Sequence, residues 1–127
     1  MYIKKKVLER PKKMGLGTAY VQGFELAKGN FIILMDADLS HHPKYIPKMI
    51  EKQKEENSDV VIGSRYIKDG GIVGWTFFRK LTSRIANFIT SESLGVKVSD
   101  FTNSFRLYKR EVFEELIKEV TNKGFGF

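Results

Sequence analysis

The 127-residue chain has no cysteine, only three prolines and one tryptophan, and its longest strictly apolar run is Phe31-Ile-Ile-Leu-Met35. Without cysteine there is no disulfide framework and no thiolate metal site, a composition that suits a reducing compartment. The apolar run falls far short of the ~20 residues that a bilayer-spanning helix needs. The basic start, Met1-Tyr-Ile-Lys-Lys-Lys-Val7, carries no apolar stretch of the kind a signal peptide requires. No Asn-x-Ser/Thr acceptor occurs, and repeats, low-complexity tracts and Pro/Gly-rich linkers are equally missing. These absences leave a single globular domain that does not span a membrane, and they do not exclude one that lies on it.

What is there fits that description. Lys and Arg number 22 against 15 Asp and Glu, for a net charge of +7, and 42% of the residues are hydrophobic with 13% aromatic. Such a chain is too apolar to be disordered. At this length it buries roughly two-thirds of its unfolded surface, enough for one core. The positive charge is spread along the sequence and broken by acidic blocks, and no base-reading motif accompanies it, so nucleic acid is not expected as a partner.

Helical and strand signals alternate. Gly15-Leu-Gly-Thr18 opens a helical stretch with Tyr20 and Phe24 at i, i+4, and Gly29 stands where a helix C′ residue belongs. Phe31–Met35 reads as a buried strand. A helix follows Pro43 and Pro47, with Ile46, Ile50 and Gln53 on one side. Asp59–Arg65 reads as a second buried strand, and Gly70-Gly71 as a loop. From about Trp75 to Ser91 the set Phe78, Leu81, Ile85, Phe88 and Ile89 keeps helical spacing. A short strand at Phe105–Tyr108 precedes a helix with Val112, Phe113, Leu116, Ile117 and Val120 in one stripe. The alternation predicts an α/β layer fold with a mostly parallel sheet and flanking helices.

The sharpest chemical feature is Asp36-Ala37-Asp38, directly after an apolar strand. Ligands of open α/β sheets bind beyond the carboxyl ends of strands. Two carboxylates there suit Mg²⁺ or Mn²⁺ bridging to phosphates; the blander reading is a pair of loop residues capping the next helix. His41 and His42 could add a ligand, but neighbours on a turn rarely point the same way, so a loop wall or helix-entry contact is favoured. Ser40 could cap, or reach a metal through water. Arg10, Lys12 and Lys13 precede a helix start that could receive an anion; solvated surface charge explains them as well. Arg65 and Arg79 are of the type that grips phosphate bidentately. The Trp75–Ile89 segment, with Arg79, Lys80 and Arg84 on its other faces, is either a core helix or an interfacial face against anionic lipid.

Taken in order, Met35-Asp-Ala-Asp-Leu-Ser-His-His-Pro43, Gly63-Ser-Arg-Tyr66, Gly70-Gly-Ile-Val-Gly-Trp75 and Ser99-Asp-Phe-Thr-Asn-Ser-Phe-Arg-Leu-Tyr108 resemble the dolichol-phosphate mannosyltransferases. Those are family 2 inverting glycosyltransferases of GT-A fold, and Lys13-Met-Gly-Leu-Gly-Thr-Ala-Tyr20 is similar to the family's segment upstream of the acidic motif. The resemblance implies transfer of mannose from GDP-mannose to dolichyl phosphate, supplying glycosylation and GPI-anchor synthesis. It implies a peripheral place on the cytosolic face of the endoplasmic reticulum, with small membrane-anchoring subunits. By the same resemblance Asp36 and Asp38 bind Mg²⁺ or Mn²⁺. Lys13, Gly15, Gly17 and Ala37 join them around the donor, and Arg65, Arg79 and Ser83 hold the lipid phosphate. Asp38, Arg65 and Arg79 then form the catalytic set. Asp100 matches a motif position without an assigned role, and Asn103 stands where the motif usually has Gly. Residues 1–127 are read as the interior of one GT-A catalytic domain, lacking the N-terminal nucleotide-binding strands and the C-terminal part. Competing readings are a polyprenyl-phosphate glycosyltransferase with a glucose donor and a non-catalytic membrane-surface module. A dehalogenase-type phosphatase is a third, and it lacks the second acidic pair that chemistry needs.

Overall fold

In a computed structural model, residues 5–12, 14–65, 77–95 and 99–123 are described. They form four helices, α1 (Leu16–Leu26), α2 (Ile46–Glu56), α3 (Phe77–Leu94) and α4 (Arg110–Lys123). Three strands, β1 (Phe31–Leu34), β2 (Val60–Ile62) and β3 (Arg106–Lys109), alternate with them. The strands make one sheet in the order β1-β3-β2. The alternation of helix and strand is the one the periodicity predicts.

The direction of the strands is not. The N–H of Gly63, just past the end of β2, donates to the carbonyl of Phe105, just before the start of β3, at 2.8 Å. At the other edge, Arg110 N–H, just past β3, donates to the carbonyl of Asn30, just before β1, at 2.9 Å. Strand ends that meet in this way run antiparallel. The central strand β3 is therefore antiparallel to both neighbours, and among the described strands no parallel pair is hydrogen-bonded. A helix between two strands predicts that they run the same way, and β1 and β2 do. It does not say that a third strand inserts between them the other way round.

The chain divides into two compact units, residues 1–32 with 108–127, and residues 33–107. In the first, Phe24 of α1 packs on Phe113 of α4, with ring centroids 5.5 Å apart, and Tyr108 lies 5.1 Å from the same ring. Phe113 and Ile117 of the predicted α4 stripe are buried, as is Tyr108 of β3, whereas Val112 is half-buried and Leu116 exposed. Helix α1 starts after Gly15, whose φ of 84° is a conformation glycine adopts without strain. It ends in an extended Ala27 rather than at a left-handed Gly29. The reason lies in Arg110: its guanidinium donates to the carbonyls of Ala27 (3.0 Å) and Gly29 (3.1 Å) and sits over the Phe24 ring. A side chain thus satisfies carbonyls that a glycine-based cap serves elsewhere.

In the second unit a 3₁₀ turn, Pro43–Tyr45, leads into α2, with His42 accepting the Lys44 N–H at its start. Pro47 is tolerated because the first helical turn has no intrahelical use for its N–H. Asn57, at φ 50°, closes the helix in the left-handed region. Met49 and Gln53 of α2 are buried, as are Phe105 and Leu107 around β3. The strand residues Val60–Ile62 are only half-buried.

Glycine is required at 63. A Cβ there would stand 3.2 Å from Phe105 Cδ1 and 3.3 Å from the Phe105 carbonyl, where the β2 and β3 backbones approach. Gly63→Ala is expected to lower stability by about 1–3 kcal/mol through this overpacking. The check is the urea midpoint at constant m-value, and an unchanged midpoint would mean that the strand ends part freely.

Helix α3 departs from the core reading of its stripe. Phe78 is 78% exposed, Phe88 66% and Ile89 57%, and Phe77, Leu81 and Ile85 are exposed as well. Its anchorage is polar instead. Asn87, 4% exposed, accepts the Phe101 N–H at 2.6 Å and donates to the Ser83 carbonyl at 3.0 Å. No helix among the described residues is long and apolar enough to cross a membrane.

Candidate active site

The antiparallel course of β3 determines what meets in the second unit. Asp36–His41 follows the carboxyl end of β1, Gly63-Ser-Arg65 follows that of β2, and the segment Ser99–Phe105 precedes the amino end of β3. Three polar segments converge as a result.

The acidic loop is held at several points. Ser104 Oγ donates to Asp36 Oδ2 at 2.6 Å, and the Asp36 backbone N–H donates to His41 Nδ1 at 2.9 Å. The Ser40 N–H donates to Asp38 Oδ1 at 3.0 Å, a bond of the Asx-turn type. Hydrogen bonds from the Ser40 side chain and backbone hold the Asp38 carboxyl below the ordinary carboxylate range. A smaller desolvation effect opposes these bonds, and the Asp38 N–H acts with them. Asp38 is exposed and ionised at neutral pH.

Arg65 and Asp100 make a fork-to-fork pair. Arg65 Nε donates to Asp100 Oδ2 and its terminal nitrogen to Oδ1, both at 2.7 Å, and the Arg65 backbone N–H adds a bond at 3.2 Å. Thr102 Oγ1 donates to Asp100 Oδ1 at 3.1 Å and accepts from Arg65. The Asp100 side chain has no exposure at all, and that of Arg65 has 22%. Burial pushes the Asp100 carboxyl up, but the Arg65 side-chain and backbone bonds and its charge outweigh this, so the net shift is downward.

The other expected site residues fall as follows. Gly15 and Gly17 lie at the start of α1 in the first unit, with Gly17 buried and the Arg10 guanidinium on the Gly15 carbonyl. Ala37 sits between the two aspartates on the exposed loop. Ser83 lies on α3, its carbonyl taken by Asn87. Arg79 belongs to α3 by its backbone, and its side chain, Lys13, the Gly70-Gly71 loop and Trp75 lie outside the described residues. His42 makes the helix-entry contact, and His41 is the loop wall, stacked on Phe105 with ring centroids 5.0 Å apart. Both His41 nitrogens are engaged, Nδ1 by Asp36 and Nε2 by Asn103 at 3.1 Å. His41 is thus no third metal ligand in this arrangement. Asn103 and Ser104 were not singled out for this loop. Their signal was the density of short polar side chains in Ser99–Ser104 ahead of an apolar strand.

Among the described residues no group of three or more His, Cys, Asp or Glu is placed to hold a metal ion. Two carboxylates on an exposed loop, one ionised by its own hydrogen bonds, nevertheless fit a hard dication. Mg²⁺ takes one or two protein carboxylates and completes its octahedron with water and substrate phosphates.

Comparison with known proteins places this geometry. The chain is 41% identical over 111 residues to the dolichol-phosphate mannosyltransferase of Pyrococcus furiosus, covering 86% of this chain and 31% of the relative. It is 37% identical over 125 residues to the polyprenol monophosphomannose synthase of Mycolicibacterium smegmatis (95% and 47%). With the undecaprenyl-phosphate mannosyltransferase of Micrococcus luteus it shares 35% identity over 125 residues (95% and 51%). The chain spans 31% to 51% of the length of these relatives. The sequence model described as Glycosyl transferase family 2 matches residues 1–117, which takes in the acidic loop, Arg65, Asp100 and all three strands. The α/β elements described above are accordingly part of a GT-A fold, and the chain belongs to glycosyltransferase family 2.

Proposed function

We propose that this chain carries the cation-binding and acceptor-binding parts of a polyprenyl-phosphate mannosyltransferase. The reaction moves mannose from GDP-mannose to dolichyl phosphate, with inversion at the anomeric carbon. The observation that carries the reading is the acidic loop after β1 in the same unit as Arg65 after β2, in a chain whose relatives are named for polyprenyl-phosphate mannosyl transfer. Asp36 and Asp38 hold Mg²⁺ or Mn²⁺, which when bound offsets the charge of the departing nucleoside diphosphate. Lys13, Gly15, Gly17 and Ala37 complete the donor side. A phosphate monoester is already anionic at neutral pH, so the attack needs no strong general base. Arg65, Arg79 and Ser83 orient that phosphate toward the anomeric carbon, where positioning and electrostatic stabilisation supply the rate.

The exposed aromatic face of α3 suits a peripheral enzyme whose acceptor has an isoprenoid tail. Attachment at the cytosolic face of the endoplasmic reticulum through small anchoring subunits, serving glycosylation and GPI-anchor synthesis, is the setting the family resemblance implies.

The test supplies the chain with Mn²⁺, GDP-mannose labelled in the sugar, and vesicles containing dolichyl phosphate. Label is expected in the lipid phase, none is expected from UDP-glucose, and chelation abolishes transfer. Labelling from UDP-glucose instead would reassign the donor, and a chain that binds neither Mn²⁺ nor vesicles through dolichyl phosphate would overturn the reading. In the same vesicles, Phe78→Ser with Phe88→Ser is expected to weaken binding about tenfold or more, from the apolar area withdrawn. Unchanged sedimentation would remove α3 from the membrane contact.

A further inference from the structure

The loop that carries Asp36 and Asp38 is held at Asp36 by Ser104 and at Asp38 by the Ser40 N–H, yet the turn between them and His41 is strained. It turns through Leu39, a non-glycine residue at φ 67° whose side chain is 93% exposed. A side chain in the left-handed region costs on the order of 1 kcal/mol, and packing at Leu39 returns none of it. Something else must keep this turn.

The restraint runs through two side chains. Asn103 is 8% exposed and makes three hydrogen bonds. Its amide nitrogen donates to the Gly63 carbonyl at 2.6 Å, and its Oδ1 accepts the Phe105 N–H at 3.1 Å and meets His41 Nε2 at 3.1 Å. The first two bonds fix the orientation of the amide, so the atom facing His41 is an oxygen and Nε2 must carry the proton. Nδ1 is then bare, which matches its acceptance of the Asp36 N–H. The ring is held flat against Phe105, 14° from parallel, with a side-chain exposure of 11%. The Asp36 carboxylate lies 4.0 Å from Nε2 and is fixed by Ser104, and the charge of Asp38 is also felt at the ring. An asparagine needed only for the turn before β3 would use the Phe105 bond alone. The bond to His41 adds nothing to that turn and ties the acidic loop to the ends of β2 and β3.

We propose that His41 and Asn103 are positioning residues that fix the conformation of the Asp36-Ala37-Asp38 loop by a relay from the Asp36 N–H through the imidazole and the amide to the Gly63 carbonyl. The consequence for cation binding rests on the reading of Asp36 and Asp38 as ligands, but the relay itself does not. Outer-shell residues of this kind set metal affinity by holding the ligands in register.

The experiment compares the full chain with Asn103→Ala and with His41→Phe, which keeps the stack on Phe105 and removes both nitrogens. Nitrogen-15 spectra of the imidazole are expected to show the Nε2–H tautomer in the unsubstituted chain. Amide exchange at Asp36 is expected to rise about tenfold in each variant, the loss of one hydrogen bond, while Leu107 and Phe113 keep their protection. The dissociation constant for Mn²⁺ alone, from water relaxation, is expected to rise about tenfold. An Nδ1–H tautomer, or unchanged Asp36 exchange in both variants, would overturn the relay. Unchanged Mn²⁺ affinity beside faster exchange would overturn its bearing on the cation. Failure of the unsubstituted chain to take up Mn²⁺ would instead overturn the ligand assignment of Asp36 and Asp38, with exchange and tautomer still deciding the relay.

Discussion

Arg65→Ala is expected to destabilise the chain by about 3–5 kcal/mol, a large fraction of the total stability of a domain this size. The size of the effect comes from what is left behind. Asp100 is wholly buried, and Arg65 supplies two side-chain bonds and a backbone bond to its carboxylate. Without the guanidinium, the buried carboxylate retains, among the described residues, the Thr102 hydroxyl and that N–H. Arg65→Lys is expected to recover part of the loss, since an ammonium restores the charge and not the two-pronged geometry. Urea unfolding measures both, and an Arg65→Ala midpoint close to that of the unsubstituted chain would sink the argument. The pair also sets a pH dependence. Asp100 lies below its ordinary value of 3.8 in the folded chain, so its contribution is complete above that value and is lost as the pH falls through the lower folded one. Acid unfolding of Asp100→Asn, compared with the unsubstituted chain, isolates it. Activity lost in an Arg65 variant therefore reports on phosphate binding only where folding has been measured alongside.

Asp38→Asn is expected to reduce mannosyl transfer by about 10²-fold or more at unchanged thermal stability. Asparagine keeps the shape and the Oδ1 that accepts the Ser40 N–H, and it removes only the charge. The residue is exposed, so its substitution takes little packing from the fold. On the proposed reading, what would disappear is an ionised oxygen ligand and the neutralisation that a bound dication would bring to the leaving diphosphate. The loss belongs in both Mn²⁺ affinity and kcat. Full kcat restored by saturating Mn²⁺ would leave Asp38 a binding aid without a part in the chemistry, and undiminished activity at low Mn²⁺ would remove it from the site.

Both residues can be singled out from the sequence, and the partner of one cannot. Asp36 and Asp38 stand out because two carboxylates one residue apart, after an apolar strand, are hard to account for by packing alone. Arg65 stands out for a similar reason, as a base at a strand end. Its partner could not be found in that way. Asp100 lies 35 residues on, in a segment with no periodicity, and its pairing depends on the direction in which the next strand runs. A sheet with β3 parallel would have placed Ser99–Phe105 at the opposite edge, away from Arg65, His41 and Asp36.

Helix α3 makes the same point from the other side. Its spacing of Phe78, Leu81, Ile85, Phe88 and Ile89 marks an amphipathic helix, and periodicity records only that the apolar side chains share a face. Whether that face is covered depends on what lies opposite, and α3 is held by Asn87 with its aromatic side chains exposed.

The sequence by itself determined the order of helices and strands, the place of the acidic loop after β1, and the likeness to a transferase family, because local periodicity and short motifs depend on neighbours in the chain. Only the tertiary structure decided the antiparallel course of β3, the Arg65–Asp100 pair, the His41–Asn103 relay and the exposure of α3. Each of these is a contact, or the lack of one, between residues far apart in sequence, set by strand direction and burial rather than by any local pattern.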